Sequence, residues 1–465
     1  VRRAAYLLTL LGGPSSADDK SVPDGFLGTM MMMQEELEEA RESGDQGQIE
    51  RLRHVLKTQH DGLLRRVSKL FEDLEQAVGC EAVRQDLLGE SPPVDKAGMA
   101  FDPHRPHNDL PPLPQAVSLE TTATMRSAIA VGRALAELKA VGEWIPNPSI
   151  LVHAIRLQEA RSSSEIEGIV TTTDELYKAL SNVGGAAEGS EAKEVLRYSD
   201  ALWEGYQQIV SGRPLGAEMY GEIGRRITPE AGGIRETELV RIASKAGGVV
   251  YTPPAGPGVV RRMLGDLDEY IRAENQVDPL LKLAAIHYQF EAIHPFSDGN
   301  GRTGRILNIL YLVERGLLVQ PVLYLSRFLI RHRADYYRLL RGVTERGQWE
   351  SWVLFMLEAV ERTSLETVAQ VIAIRDLMED FRERIRKARP NLPAADLVEV
   401  LFDRPYCKTS LLVEKGIAKR QTASKYLQEL AKAGLISGGR KVGREVVYLN
   451  HAFLELLRKV PGEKI

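Results

Sequence analysis

His294-Pro-Phe-Ser-Asp-Gly-Asn-Gly-Arg-Thr-Gly-Arg305 gathers a histidine, a carboxylate, an asparagine, two arginines and several glycines inside a strongly apolar context. Ile306 to Glu314 reads as a good helix, so Gly299-Asn300-Gly301 is expected at its N-terminus. Backbone N–H groups there point outward and the helix dipole favours an anion. Glycines let the backbone approach phosphate closely. Arg302 and Arg305, three apart, share a helix face and can fork onto phosphate oxygens. Asp298 can hold Mg²⁺ against the phosphates, and His294 can take a proton from an attacking hydroxyl near neutral pH. A Gly-rich loop with a solvated arginine pair would explain a lone Gly-Asn-Gly, but not all these groups together.

Around this loop, from about Ser118 to Val360, the pattern is mainly helical. Leu239–Ala243 and Gly247–Pro254 are the exception: two short β-prone runs that predict a hairpin. The chain of 465 residues suits about two to four domains. Its net charge of −4 carries no overall excess of the kind nucleic acid attracts, although one domain could still be basic. Two cysteines, Cys80 and Cys407, suit a reducing compartment and make no metal-ligand pattern. No apolar run reaches the roughly 18 residues that would span a bilayer. The opening Val1–Gly12 lacks a small-residue cleavage pattern and is expected to be a cytoplasmic helix. The first residue is Val rather than Met, as expected of a fragment.

The loop matches His-x-Phe-x-Asp/Glu-Gly-Asn-Gly-Arg-x-x-Arg, and the chain thereby resembles the Fic family. The resemblance implies a helical bundle that moves AMP from ATP onto Tyr, Thr or Ser of a target protein. It implies His294 as general base, Phe296 as an anchor in the core and Asp298 as the Mg²⁺ ligand. Asn300 and the glycines would form the anion hole, and Arg302 would hold the β- and γ-phosphates. Thr303, Gly304 and Arg305 complete the nucleotide-binding stretch. Gly301 bears on the reaction type, because the related Doc toxins carry Lys there and resemble kinases. The hairpin, with Val250, Tyr251 and Thr252, resembles the family's flap, which would pair with the target's backbone. Relatives carry Leu-Ser-x-Tyr-Ile-x-x-Asn downstream, whose Asn touches adenine; here Leu325–His332 places His332 at that position. Upstream, Ser163-Ser-Glu-Ile-Glu-Gly168 matches Ser/Thr-x-x-x-Glu-Gly/Asn, the family's inhibitory helix motif. Ser163 would cap or orient that helix, and Glu167 would pair with Arg305 and keep it from the γ-phosphate. This likeness runs from about residue 99, and Met99 is where an unfused ancestor would start.

The expected domains are a helical hairpin at 1–88, a Pro-, Asp- and His-rich linker at 89–114, an inhibitory region at 115–190 and a catalytic core at 191–360. A connecting helix at 361–392 and a winged helix at 393–465 follow. Ile417–Leu427 would hold the second and third helices of a helix-turn-helix. Lys419, Arg420 and Lys425 lie at its start, and Arg440, Lys441 and Arg444 on the wing. These could meet DNA phosphates, or form a solvated basic face on a dimerisation or docking module. Residues 1–88 resemble the C-terminal domain of HscB-type iron–sulphur co-chaperones. Leu27, Met31, Glu35 and Glu39 fall on the stripe that would dock a scaffold protein, while Gly28 and Met32 depart from it. A plain hairpin used for oligomerisation is the alternative.

The reading is therefore a mainly α protein that adenylylates a target of unknown identity and itself, with ATP and Mg²⁺, in the cytoplasm. A homodimer is an open expectation. Other readings are AMP removal on the same site, a nucleotide-sensing transcription regulator, and a cluster-assembly adaptor.

Overall fold

The computed structural model describes residues 101–458 apart from 114–118, 146, 182, 184–189, 232, 237–238, 245–246, 275–276 and 443–444. The chain divides into two units, 1–92 and 93–465. The expected hairpin at 1–88, with its scaffold-docking stripe, and Arg444 of the wing lie outside the described residues.

The bundle is built around α7 (Pro279–Ile293) and α8 (Asn300–Glu314). Asp278 caps α7 by accepting from the Leu280 N–H at 2.7 Å, with Pro279 as the first helical residue. Almost every residue of α7 is buried, so this helix runs through the core and not along its surface. Around the pair stand α2 (Pro148–Ile166), α4 (Ser190–Val210), α5 (Ala217–Ile227) and α6 (Val259–Arg272). Short α9 (Leu325–Arg331) and α10 (Arg333–Arg346) follow α8. Then α11 (Trp349–Ala388) runs unbroken for 40 residues. Its Trp352 donates to the Ala284 carbonyl of α7 at 2.9 Å, and α1 (Thr122–Gly142) lies along it. The expected boundary between core and connecting helix at 360 is therefore the middle of one helix. Truncating a core residue such as Leu283 to Ala would cost about 2–5 kcal/mol.

The predicted hairpin forms from β1 (Ile242–Ala243) and β2 (Val249–Tyr251), antiparallel with Ile242 opposite Tyr251. Residues 101–113, expected within a linker, instead strap the base of this flap. His107 N–H donates to the Thr252 carbonyl at 3.0 Å, and Thr252 Oγ1 donates to the Pro103 carbonyl at 2.7 Å. The Asn108 side chain exchanges two hydrogen bonds with the Ala255 backbone. A Pro-rich segment without periodicity satisfies its backbone here through side chains and the flap.

The C-terminal part sets short helices against a small three-stranded sheet. It comprises α12 (Ala394–Asp403), β3 (Tyr406–Lys408), α13 (Thr409–Glu414), α14 (Arg420–Lys432), β4 (Arg440–Val442), β5 (Glu445–Leu449) and α15 (His451–Arg458). The sheet order is β3-β5-β4, all antiparallel. The second helix ends at Glu414, so Ile417–Lys419 is the turn and not a helix as expected. Lys419, Arg420, Lys425, Arg440 and Lys441 are exposed. The module docks on the bundle through His153–Asp403 (3.0 Å) and Tyr406–Asp174 (2.6 Å); Asp174 belongs to α3 (Thr173–Leu180).

Candidate functional site

The catalytic loop bridges the end of α7 and the start of α8. His294 takes the C-cap of α7 in a left-handed conformation, φ 50°, the only non-glycine positive φ among the described residues. Arg235 holds it there. Its Nε donates to the His294 carbonyl (2.8 Å), its Nη2 to the Ile293 carbonyl (2.9 Å), and its N–H to the Pro295 carbonyl (2.9 Å). Nothing in the sequence marks this clamp, since Arg235 follows Gly232-Gly233-Ile234 in an unpatterned stretch.

Phe296 is buried and anchors the loop as expected. Its ring fills a space kept open by Gly224, where a Cβ would come within 2.8 Å of Phe296 Cζ. Asn300 has a different task from the one expected. Its Oδ1 accepts from the Phe296 N–H and its Nδ2 donates to the Phe296 carbonyl, both at 2.8 Å. The side chain staples the loop, and only its backbone N–H is left for an anion. That N–H and those of Gly301 and Arg302 sit in the first turn of α8, where no intrahelical acceptor exists. Gly299, φ 85°, makes the left-handed entry to α8, and a Cβ there would meet Thr228 Oγ1 at 2.8 Å.

Asp298 has a 65% exposed side chain. Its Oδ1 accepts from the Gly299 N–H (2.7 Å) and its Oδ2 faces Arg302 Nη2 at 3.3 Å. Among the described residues no group of three or more His, Cys, Asp or Glu could hold a metal. A single accessible carboxylate fits Mg²⁺ that arrives on phosphates and keeps its waters. Arg302 is buried and held only by long contacts, 3.3 Å each to Glu194, Thr228 and Asp298, with its Nε unpartnered. It can be recruited by a better acceptor.

Arg305 is held much more tightly. Its Nε donates to Ser163 Oγ (2.8 Å) and its Nη2 to the Ser163 carbonyl (3.0 Å) and Glu167 Oε1 (2.7 Å). The motif's Glu-Gly pair now has a physical reason. Ile169 N–H donates to the Ser164 carbonyl and Gly168 N–H to the Glu165 carbonyl, both at 3.0 Å, which is a Schellman ending of α2. That ending requires a left-handed residue after the C-cap, supplied by Gly168 at φ 87°. Glu167, at the C-cap, is thereby turned off the helix end onto Arg305. Ser163 lies inside α2 and is fully buried, so it positions Arg305 and caps nothing. Gly301 makes room for the pair, since a Cβ there would lie 2.6 Å from Glu167 Oε1 and 2.9 Å from Arg305 Nη1.

Thr303 and Gly304 do not reach the phosphate side. Thr303 is fully buried, and Gly304 packs on α7, where a Cβ would strike Glu291 Oε1 and Phe290. On the flap, Tyr251 donates its hydroxyl to the Ala292 carbonyl (2.8 Å), which fixes the hairpin beside the loop. Thr252 is fully buried under the strap, so only Val249–Tyr251 can present an edge. His332 stands between α9 and α10, stacked on Phe328 at 4.1 Å, with Nδ1 bonded to the Phe328 carbonyl at 3.0 Å. Its neighbour Arg333 acts on Glu167, and Tyr337 senses both Glu167 and Arg305. Neither Arg333 nor Tyr337 stood out in the sequence.

The charges follow from this packing. Burial and the nearby Arg235 push His294 down to about 4, against the Glu291 carbonyl, Glu167 and Asp298. The imidazole is therefore neutral at pH 7, as a proton acceptor must be. Burial pushes the Glu167 carboxyl up, but Arg305, Arg302 and Arg333 together hold it below its usual value. Burial, with a smaller push from Glu167, moves Glu291 up to about 7, against Arg305.

The bundle places His294, at the end of α7, just ahead of the first turn of α8 with its free N–H groups. Residues 125–207 match the Fic/DOC family N-terminal domain and residues 213–312 the Fic/DOC family domain. Residues 377–453 match the C-terminal domain of SoFic-like protein adenylyltransferases. The chain thus carries a Fic/DOC family domain over residues 213–312. Residues 22–84 match the HSCB C-terminal oligomerisation domain. The chain is similar to a probable protein adenylyltransferase of Aquifex aeolicus, 26% identical over 311 residues, covering 66% of this chain and 89% of that protein. It is 33% identical over 144 residues to the protein adenylyltransferase Fic of Culex quinquefasciatus; that covers 30% of this chain and 27% of that protein. A Fic family protein from Desulfovibrio desulfuricans has a solved structure with a TM-score of 0.46 and 20% identity, covering 73% of this chain and 98% of that one. No described helix is long and apolar enough to cross a membrane.

Proposed function

We propose that this chain transfers AMP from ATP to a Tyr, Thr or Ser hydroxyl of a target protein and of itself, and that Glu167 restrains the reaction. The observation that carries the proposal is the anion-binding start of α8 facing a neutral His294, with Arg305 tied to Glu167 at 2.7 Å. The target hydroxyl gives its proton to His294 as its oxygen bonds to the α-phosphorus. The bond from that phosphorus to the bridging oxygen breaks, and pyrophosphate leaves. The α8 N-terminus and Arg302 stabilise charge on the phosphates, an effect largest where donors are already in place. Asp298 would hold the Mg²⁺ that comes with ATP, which neutralises charge on the leaving group. The phosphates also raise the basicity of His294, because negative charge favours its protonated form. His332 suits adenine: Nδ1–H is given to Phe328, which leaves Nε2 as an acceptor for an exocyclic amine.

With Glu167 in place, Arg305 cannot reach the γ-phosphate, and the carboxylate repels that phosphate. ATP then binds with its α-phosphate misaligned. ATP labelled at the α- or the γ-phosphate tests the reaction. Label from the α position alone, retained on protein, is the expected result. Label from the γ position would mean phosphoryl transfer and overturn the proposal.

The exposed basic residues at the start of α14 and on the wing support a second reading, DNA binding, in which the catalytic core senses nucleotide. Retention on duplex DNA at moderate salt is its test.

A further inference from the structure

A cavity of about 160 Å³ lies between the outer side of α2 and α9 and shares no lining residue with the catalytic loop. Gln158, Arg161 and Glu165 reach it from α2, and Tyr324, Arg327 and Arg331 from α9 and its cap. Three of its donors are buried and unpartnered: Gln158 Nε2, Arg161 Nε and the Tyr324 hydroxyl. Gln158 is only 8% exposed and Tyr324 only 1%. Buried donors are almost always satisfied, so converging unsatisfied ones mark a missing acceptor. The surrounding charge selects an anion over water. Three guanidiniums stand against two carboxylates, Glu165 on the wall and Glu366, which meets Arg331 at 3.1 Å and Arg327 at 3.8 Å.

Position gives the cavity its consequence. Gln158, Arg161 and Glu165 recur at three- and four-residue spacing on one side of α2. Glu159 and Ser163 occupy the other side, facing Ser326 and Arg305. A ligand bridging α2 to α9 therefore acts on the helix that ends in Glu167.

We propose that this cavity binds a phosphate group, free or carried by a small metabolite, and that the bound phosphate braces α2 where Glu167 meets Arg305. The bracing rests on the inhibitory reading of Glu167; the binding does not. Planar, forked guanidinium donors match tetrahedral phosphate oxygens.

Thermal melting of the full chain with inorganic phosphate tests the binding. The melting temperature should rise saturably in wild type, and a saturable rise should persist in Arg302→Ala, which weakens the nucleotide site. The rise that remains in Arg302→Ala should vanish when Gln158→Leu/Arg161→Met is added to it. Loss in Arg302→Ala with retention in the double variant would assign all binding to the nucleotide site and overturn the proposal. If the double variant misfolds, Arg161→Lys decides: it keeps the charge and removes the Nε donor, so phosphate affinity should fall on the order of tenfold, and unchanged affinity overturns the site. AMP titrated in the Arg302→Ala background identifies the source, binding more tightly than phosphate if a nucleotide is the ligand and more weakly if free phosphate is. For the bracing, phosphate should lower AMP labelling of wild type but not of Glu167→Gly. Equal inhibition of both, or of neither, overturns the bracing and leaves AMP transfer untouched.

Discussion

Glu159 and Glu167 stand eight residues apart on α2, and both lie within electrostatic reach of Arg305, yet their carboxyls are shifted in opposite directions. Glu159 is 1% exposed and accepts from Ser326 N–H (2.9 Å), the Ser326 hydroxyl and the Tyr198 hydroxyl (3.2 Å). Burial pushes its carboxyl up to about 7, against those donors and Arg305. Glu167 sits at the helix end with a 34% exposed side chain and one close cation. A carboxyl surrounded by neutral donors in a dry site is a fixed anchor between helices. Under the proposed restraint, a carboxylate at the rim with one close guanidinium partner would be a latch that a competing anion lifts. The motif singled out Glu167 alone; the difference in burial gives the physical contrast between the two.

The largest effect separates chemistry from restraint. In a Glu167→Gly background, His294→Ala should cut AMP labelling by about 10²–10⁴-fold and leave ATP binding largely intact, because the α8 N-terminus and both arginines remain. Labelling that survives in the double variant would remove His294 from the mechanism.

A smaller effect should come from the latch's neighbour. Ser163→Ala removes the acceptor of Arg305 Nε but leaves the Ser163 carbonyl and Glu167 in place. Losing one hydrogen bond should raise labelling by roughly three- to tenfold. A lower rate would show that Ser163 supports the active geometry instead.

Glu159→Gln should activate nothing, since the neutral carboxylic acid and the amide are near-isosteres. It should change the pH response. The folded-state value near 7 lies above the unfolded 4.5, so folded Glu159 keeps a proton that the unfolded chain has lost. The stability this provides is complete below about 4.5 and is lost as pH rises through 7. The wild-type melting temperature should therefore fall between pH 6 and 8, and Glu159→Gln should flatten part of that fall, with Glu291 supplying the rest. An unchanged slope would mean that Glu159 is ionised in the folded protein.

Much of this site was legible in the sequence because its chemistry is local. Glycines before a helix, an arginine pair three apart and a Ser-to-Glu-Gly spacing all state their geometry within a dozen residues. The missing parts are contacts made across the fold. Arg235 reaches the loop from 59 residues away, and the strap's Asn108 meets Ala255 across 147. Within the loop, the amide of Asn300 looked like an anion ligand, but two backbone groups of Phe296 claim it first. Thr303 and Gly304 lie in the nucleotide-binding stretch yet face inward. In the C-terminal module, three-residue β3 is too short to show alternation and depends on β5 for its pairing.

The most direct test of the account compares wild type and Glu167→Gly side by side, with α-labelled ATP, Mg²⁺ and intact-mass detection of AMP added to the chain itself. Freeing Arg305 and removing the opposing charge should raise AMP transfer by about two orders of magnitude. Equal labelling of the two proteins would show that the 2.7 Å contact between Glu167 and Arg305 restrains nothing.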